Sequence, residues 1–110
     1  MRKLTVILLF ASVASTGSAT AQDTRAAELA TADQKLNDVF KKINGKLNAE
    51  EKAKLIKAQR AWLAFRDLDC SWAFRAEPLD CLIDRTTNRT NELETTAFRD
   101  ANGRYGLIKD

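Results

Sequence analysis

The chain has 110 residues, with 18 lysines and arginines, 15 aspartates and glutamates, no histidine and a formal charge of +3 at neutral pH. Without an imidazole there is no Ser-His or Cys-His dyad and no ordinary histidine base. The length supports one small domain, and the charge is too balanced for a nucleic-acid binder, which needs a strongly basic surface.

Residues 1–21 read as a secretory signal peptide. Arg2 and Lys3 form a cationic start, Leu4–Ala14 is apolar apart from Thr5 and Ser12, and Ala19-Thr20-Ala21 is an A-x-A cleavage site before Gln22. The apolar run is shorter than the roughly 20 residues of a membrane-spanning helix, so the product is expected to have no stable membrane insertion. Removing 21 leader residues from 110 leaves 89, a single domain over 22–110. Arg2 and Lys3 leave with the leader, so 16 basic residues then face 15 acidic ones. The expected address is the periplasm or the exterior of a bacterial cell.

The next pattern is helical. Leu29, Ala32, Leu36, Val39, Phe40, Ile43 and Leu47 recur at steps of three and four and predict a first helix ending near Gly45. Its start is open: Asp23 can cap it, but Thr31-Ala32-Asp33-Gln34 also fits a capping box, which would make residues 24–30 a separate turn. Asn48-Ala49-Glu50-Glu51 has the form of a second start, with acidic residues opposing the macrodipole.

The second helix is expected to run to Phe74 or Arg75. Leu55, Ala58, Trp62, Phe65 and Trp72 supply its apolar face, and Gln59, Arg66 and Cys70 lie beside them. Gln59, Trp62, Arg66 and Cys70 form one stripe by helical spacing. An amide, an indole, a guanidinium and a thiol on one stripe call for polar partners on a neighbouring element. Pro78 places a connection at 76–80. Asp80 is the candidate cap of a third helix, with Leu82, Ile83, Thr86, Leu93 and Ala97 inward and Asn102-Gly103 at its end. Residues 104–110 have no clear period. The expected fold is all-α, a small antiparallel three-helix bundle.

The two cysteines, Cys70 and Cys81, fall in an exported chain, where a disulfide is favoured. It would close a short loop between helices two and three and contribute roughly 2–3 kcal/mol. Metal ligation and a reactive thiol are the alternatives. Zinc is disfavoured, because two thiols without histidine would need carboxylates to complete the shell. No metal or cofactor is expected.

Three segments together resemble the LprI-like lysozyme-inhibitor family. They are Ala32-Asp33-Gln34-Lys35-Leu36-Asn37, the run from Gln59 through Trp62, Arg66 and Cys70, and Cys81 with Thr86, Arg89 and Leu93. The resemblance covers nearly all of the chain after the leader. It implies a small envelope-exposed helical domain with a cysteine pair and, in the family's namesake, inhibition of lysozyme. This chain differs in lacking a lipid-attachment cysteine at the end of the leader and a long glycine-rich loop between Cys70 and Cys81.

Individual residues divide between structure and binding. Gln59, Trp62, Arg66, Thr86 and Arg89 read as a structural motif beside the disulfide, with arginine stacked on an indole or bonded to the Thr86 hydroxyl. Asp67 and Asp69 are two apart on a helix and point in different directions, so they read as a solvated or ion-paired set and not as a glycosidase pair. A lysine-rich region containing Lys42, Lys46 and Lys52 surrounds the turn between helices one and two. It reads as a solvated tip or as a basic element that enters an acidic cleft. The leading expectation is a non-enzymatic binding module whose partner is a lysozyme-like muramidase or another cell-wall hydrolase. The alternatives are a toxin-neutralising immunity protein and a structural or stress-related envelope protein that contacts anionic polymers.

Overall fold

The computed structural model describes residues 17–99 and 105–107. Leader residues 1–16 and the Asn102-Gly103 stop signal lie outside the described residues. The chain forms α1 (Gly17–Asn44), α2 (Ala49–Ala73) and α3 (Pro78–Thr95), followed by two short strands, β1 (Ala97–Arg99) and β2 (Tyr105–Leu107).

Helix α1 is continuous through residues 24–30, so Thr31 does not begin a helix. Its hydroxyl donates back to the Ala27 carbonyl at 3.1 Å, as a mid-helix threonine does. The cleavage segment Ala19–Ala21 lies within the same helix. At the other end, Gly45 N–H donates to Lys41 O at 3.0 Å just after the last helical residue. A three-residue link then leads to Asn48, which caps α2. Asn48 Oδ1 accepts from Glu51 N–H at 2.9 Å, and Glu51 Oε2 accepts from Asn48 N–H at 3.1 Å. This reciprocal capping box satisfies two of the donors that a helix start leaves open.

The second connection differs from expectation. Helix α2 stops at Ala73, and Pro78 is the first residue of α3 rather than part of the link. Proline suits that position because its missing N–H would have had no helical partner and its φ is already helical. Glu77 occupies the cap position without a side-chain hydrogen bond. Asp80 is therefore not the cap. It sits in the first turn and pairs with Arg25 Nε on α1 at 2.8 Å.

Helix α3 also ends earlier than its apolar pattern suggests. The Thr95 and Thr96 hydroxyls donate to the carbonyls of Asn91 at 2.8 Å and Glu92 at 2.6 Å. These side chains satisfy the last carbonyls, and the chain leaves Thr96 in extended geometry. Ala97, expected on the inner face of α3, instead begins β1. Strands β1 and β2 pair antiparallel, Ala97 with Leu107 and Arg99 with Tyr105. This ribbon is an appendage to an all-α fold.

Successive helices run antiparallel, so α1 and α3 run in the same direction, and these two pack most closely. Leu36 and Ile43 of α1 and Leu93 of α3 form the buried apolar cluster, with Val39, Phe40, Leu55 and Trp62 against it. Fully burying each aliphatic side chain is worth about 1.5–3 kcal/mol. Three such residues make a small core. The Cys70–Cys81 disulfide, with Cα atoms 5.6 Å apart, ties the end of α2 to the start of α3. Both cysteines are buried.

One further expectation fails. By apolar spacing Phe65, Trp72 and Ala58 belong to the inner face of α2, but Phe65 and Trp72 are 59% and 71% exposed, and Ala58 is exposed as well. A helix can turn only one stripe inward. The stripe that fits between α1 and α3 is Leu55, Gln59, Trp62, Arg66 and Cys70, which leaves Phe65 and Trp72 to one side.

Candidate functional site

The mixed stripe of α2 is the centre of a polar cluster that joins all three helices. Thr86 of α3 is fully buried, and its Oγ1 accepts from Arg66 Nη1 at 2.9 Å. The same Nη1 lies 3.0 Å from Asp33 Oδ1 on α1. Arg66 Nη2 and Nε also engage Asp67 Oδ1, at 2.9 and 3.0 Å. The Arg66 side chain is only 10% exposed. Burying a guanidinium is costly unless its donors are matched, and here two carboxylates and a hydroxyl match them.

A second arginine completes the cluster. Arg89 Nε donates to the buried Gln59 Oε1 at 3.1 Å, and its Nη1 pairs with Glu92 at 3.3 Å. Both guanidinium carbons lie over the Trp62 ring, Arg66 at 5.6 Å and Arg89 at 5.7 Å from its centroid. Both distances are within the range in which a cation is attracted to an aromatic face. One indole thus serves two cations that would otherwise repel, and the carboxylates of Asp33, Asp67 and Glu92 balance their charge.

Gln59, Trp62, Arg66, Thr86 and Arg89 are therefore brought together beside the disulfide. Two participants were not assigned to the cluster from the residue pattern: Glu92, which pairs with Arg89, and Asp33 on α1. The signal for Asp33 was available: a lone inward arginine on α2 needs a carboxylate on a facing helix, and the Ala32-Asp33 segment lies on the first helix. The arginine donors are matched by named acceptors within the cluster. Asp67 and Asp69 diverge as expected, Asp67 to Arg66 and Asp69 to Arg85 at 2.9 Å.

Lys42, Lys46 and Lys52 lie apart from this cluster, around the α1–α2 turn. Lys42 and Lys46 are exposed and Lys52 is half-buried. Lys41 is exposed in the last turn of α1, where a cation favours the helix dipole, whereas Lys54 pairs with Glu50 at 3.0 Å. The turn thus carries exposed lysines, and Lys42 also lines a recess of about 300 Å³ with Asp38 and Glu94. At the opposite end, Arg25 is held above its ordinary pKa by its hydrogen bond to Glu28 and by the charge of Asp80.

An open groove of about 720 Å³ lies between α1 and α3, lined by Ala27, Thr31, Val39, Ile83, Thr87 and Thr90 among others. Its lining is mostly small and β-branched. Among the described residues, no three acidic or cysteine side chains gather as a metal site. Within the same residues, no helix is long and apolar enough to cross a membrane.

A family model described as "Lysozyme inhibitor LprI" matches residues 12–93. That span contains α1, α2, the disulfide and every residue of the arginine–tryptophan cluster. Neither the curated proteins nor the solved structures include a match to the chain.

Proposed function

From the premise that this chain belongs to the LprI lysozyme-inhibitor family, we propose that it is a non-enzymatic binding module of the bacterial envelope. It occupies the periplasm or the cell exterior and blocks a lysozyme-like muramidase. The supporting observation is the charge of the α1–α2 turn, where Lys41, Lys42 and Lys46 are exposed. Glycoside hydrolases of this kind carry a carboxylate pair in a cleft. A basic surface complements such a cleft in charge. Lys42, Lys46 and Lys52 are the proposed contact residues, and the arginine–tryptophan cluster holds the helices that present them.

The test is lysis of purified cell wall, followed by turbidity, with several lysozyme classes and a molar excess of the oxidised protein. Wild type slows lysis. Replacing Lys42, Lys46 and Lys52 together with glutamine keeps good helix formers and removes three charges, so the melting curve stays in place. The variant inhibits about tenfold less well, mainly through slower association. If wild type leaves every lysozyme class fully active, the inhibitory reading is wrong. If the triple variant inhibits as well as wild type, the tip is not the contact.

A further inference from the structure

Helix α2 carries a second stripe that its own fold leaves uncovered. Phe65, Leu68 and Trp72 are 59, 70 and 71% exposed, and Phe74, just past the helix end, is 49% exposed. By helical spacing Ala61, Phe65, Leu68 and Trp72 share one face, and Ala61 is exposed as well. The exposed apolar area is on the order of 500 Å², at the upper end of the largest patches found on soluble monomers. The other described residues do not account for it: the core lies on the Leu55–Trp62–Cys70 side of the helix.

The patch is also held in shape. Trp72 Nε1 donates to Asp69 Oδ1 at 3.3 Å, and Asp69 is in turn held by Arg85 of α3 at 2.9 Å. The disulfide at Cys70 fixes the backbone two residues before Trp72. An exposed tryptophan already held in one orientation loses less entropy when a partner covers it.

We propose that this face is a dimer interface and that its occupant is the same face of a second copy. Three observations select a second copy. First, the order of side chains is nearly self-complementary. Phe65 stands three residues before Leu68 and Trp72 four after it, so antiparallel pairing about Leu68 sets Phe65 of each copy against Trp72 of its partner. A two-fold interface requires this reciprocity, and aromatic pairs gain beyond simple burial. Second, the exposed charges at the two ends of the stripe are mixed. Lys57 lies near one end, Arg75 and Glu77 near the other, and antiparallel pairing brings Lys57 of one copy toward Glu77 of the other twice. A strongly anionic or cationic partner has no matching field here. Third, the apolar patch with its polar rim approaches the roughly 800 Å² per partner of a standard stable interface. The pairing is independent of what the basic tip binds. It places the two Lys42–Lys46 tips at opposite ends of the dimer, where both remain open.

Sedimentation velocity of the oxidised protein, from low micromolar to several hundred micromolar, tests the proposal. The expected result is a concentration-dependent monomer–dimer equilibrium. Leu68→Lys places like charges at the two-fold axis and weakens dimerisation by roughly a hundredfold, with the helical circular dichroism of the monomer unchanged. Should that variant fail to fold, Phe65→Gln, one turn away and also exposed, gives the same readout. Lys57→Glu and Glu77→Lys each weaken the dimer, and the double exchange restores it, which fixes the antiparallel register. A wild-type protein that stays monomeric throughout overturns the proposal. A dimer indifferent to both Leu68→Lys and Phe65→Gln also overturns it. So does a monomeric wild type whose Leu68→Lys variant loses muramidase inhibition, because the face would then belong to the enzyme.

Discussion

Arg66→Ala is the sharpest probe of what holds the three helices together. The change removes the ion pair to Asp33, the bond to Thr86, the pair with Asp67 and the contact with the Trp62 ring. These losses are unequal. Asp33 and Asp67 are 42% and 62% exposed, so water recovers most of their stabilisation and each contributes at most about 1 kcal/mol. Thr86 is fully buried, and a hydrogen bond from a charged donor is worth about 1.5–3 kcal/mol. The Thr86 hydroxyl can turn to a carbonyl of its own helix, as Thr90 does toward Thr86 O at 3.1 Å, which recovers part of that loss. Loss of the cation over Trp62 adds about 0.5–1 kcal/mol. The expected destabilisation is about 2–3 kcal/mol. Urea unfolding followed by far-UV circular dichroism should show a lower midpoint with an unchanged slope. Thermal melting should fall by about 10–20 °C for a domain of this size. Arg66→Lys keeps the charge but not the fork of donors, and should recover less than half of the loss. If Arg66→Ala unfolds within 0.5 kcal/mol of wild type (about the spread of neutral surface changes), the cluster does not hold the fold together. If partner binding disappears at the same time, Arg66 is a contact residue.

Other perturbations test separate parts of the reading. Replacing Cys70 and Cys81 together with serine should cost roughly 2–3 kcal/mol, measured by urea unfolding against the oxidised wild type. Asn48→Ala breaks the capping box and should cost about 1 kcal/mol, with the fraying confined to the start of α2 in amide exchange. Intact mass of the protein recovered from the envelope fraction should correspond to a chain beginning at Gln22, without an added acyl mass; a product retaining residues 1–21 would remove the export reading. Raising salt should slow association with a muramidase more than it speeds dissociation, if the lysine tip steers the encounter.

The residue pattern revealed helices more readily than it revealed which way they face. Three apolar runs, a glycine stop at Gly45 and the Asn48 start are local signals, and α1 and α2 begin or end close to where those signals lie. The boundaries of α3 depended on competition that the pattern does not rank. Pro78 can precede a helix or open one, and the threonine pair at 95–96 takes over the helix's last carbonyls before the apolar rhythm runs out. The disulfide followed from the cysteine count. The clustering of Gln59, Trp62, Arg66, Thr86 and Arg89 followed from one inference, that polar groups on an inward stripe need partners across the bundle.

The same inference, carried further, separates the two faces of α2. If Gln59, Arg66 and Cys70 point inward, Phe65, Leu68 and Trp72 cannot, because they occupy a different sector of the helix. Apolar character alone ranks Phe65 and Trp72 above Gln59 and Arg66 as core residues, and that ranking fails here. The side chains that won the interior are those with specific partners on a neighbouring helix: Gln59 with Arg89, Arg66 with Asp33 and Thr86, Cys70 with Cys81. In a bundle whose described residues include few buried aliphatic side chains, directed bonds and one covalent link decide the facing, and the apolar residues they displace become surface. The outer stripe of α2 is thus a consequence of how this small core is built.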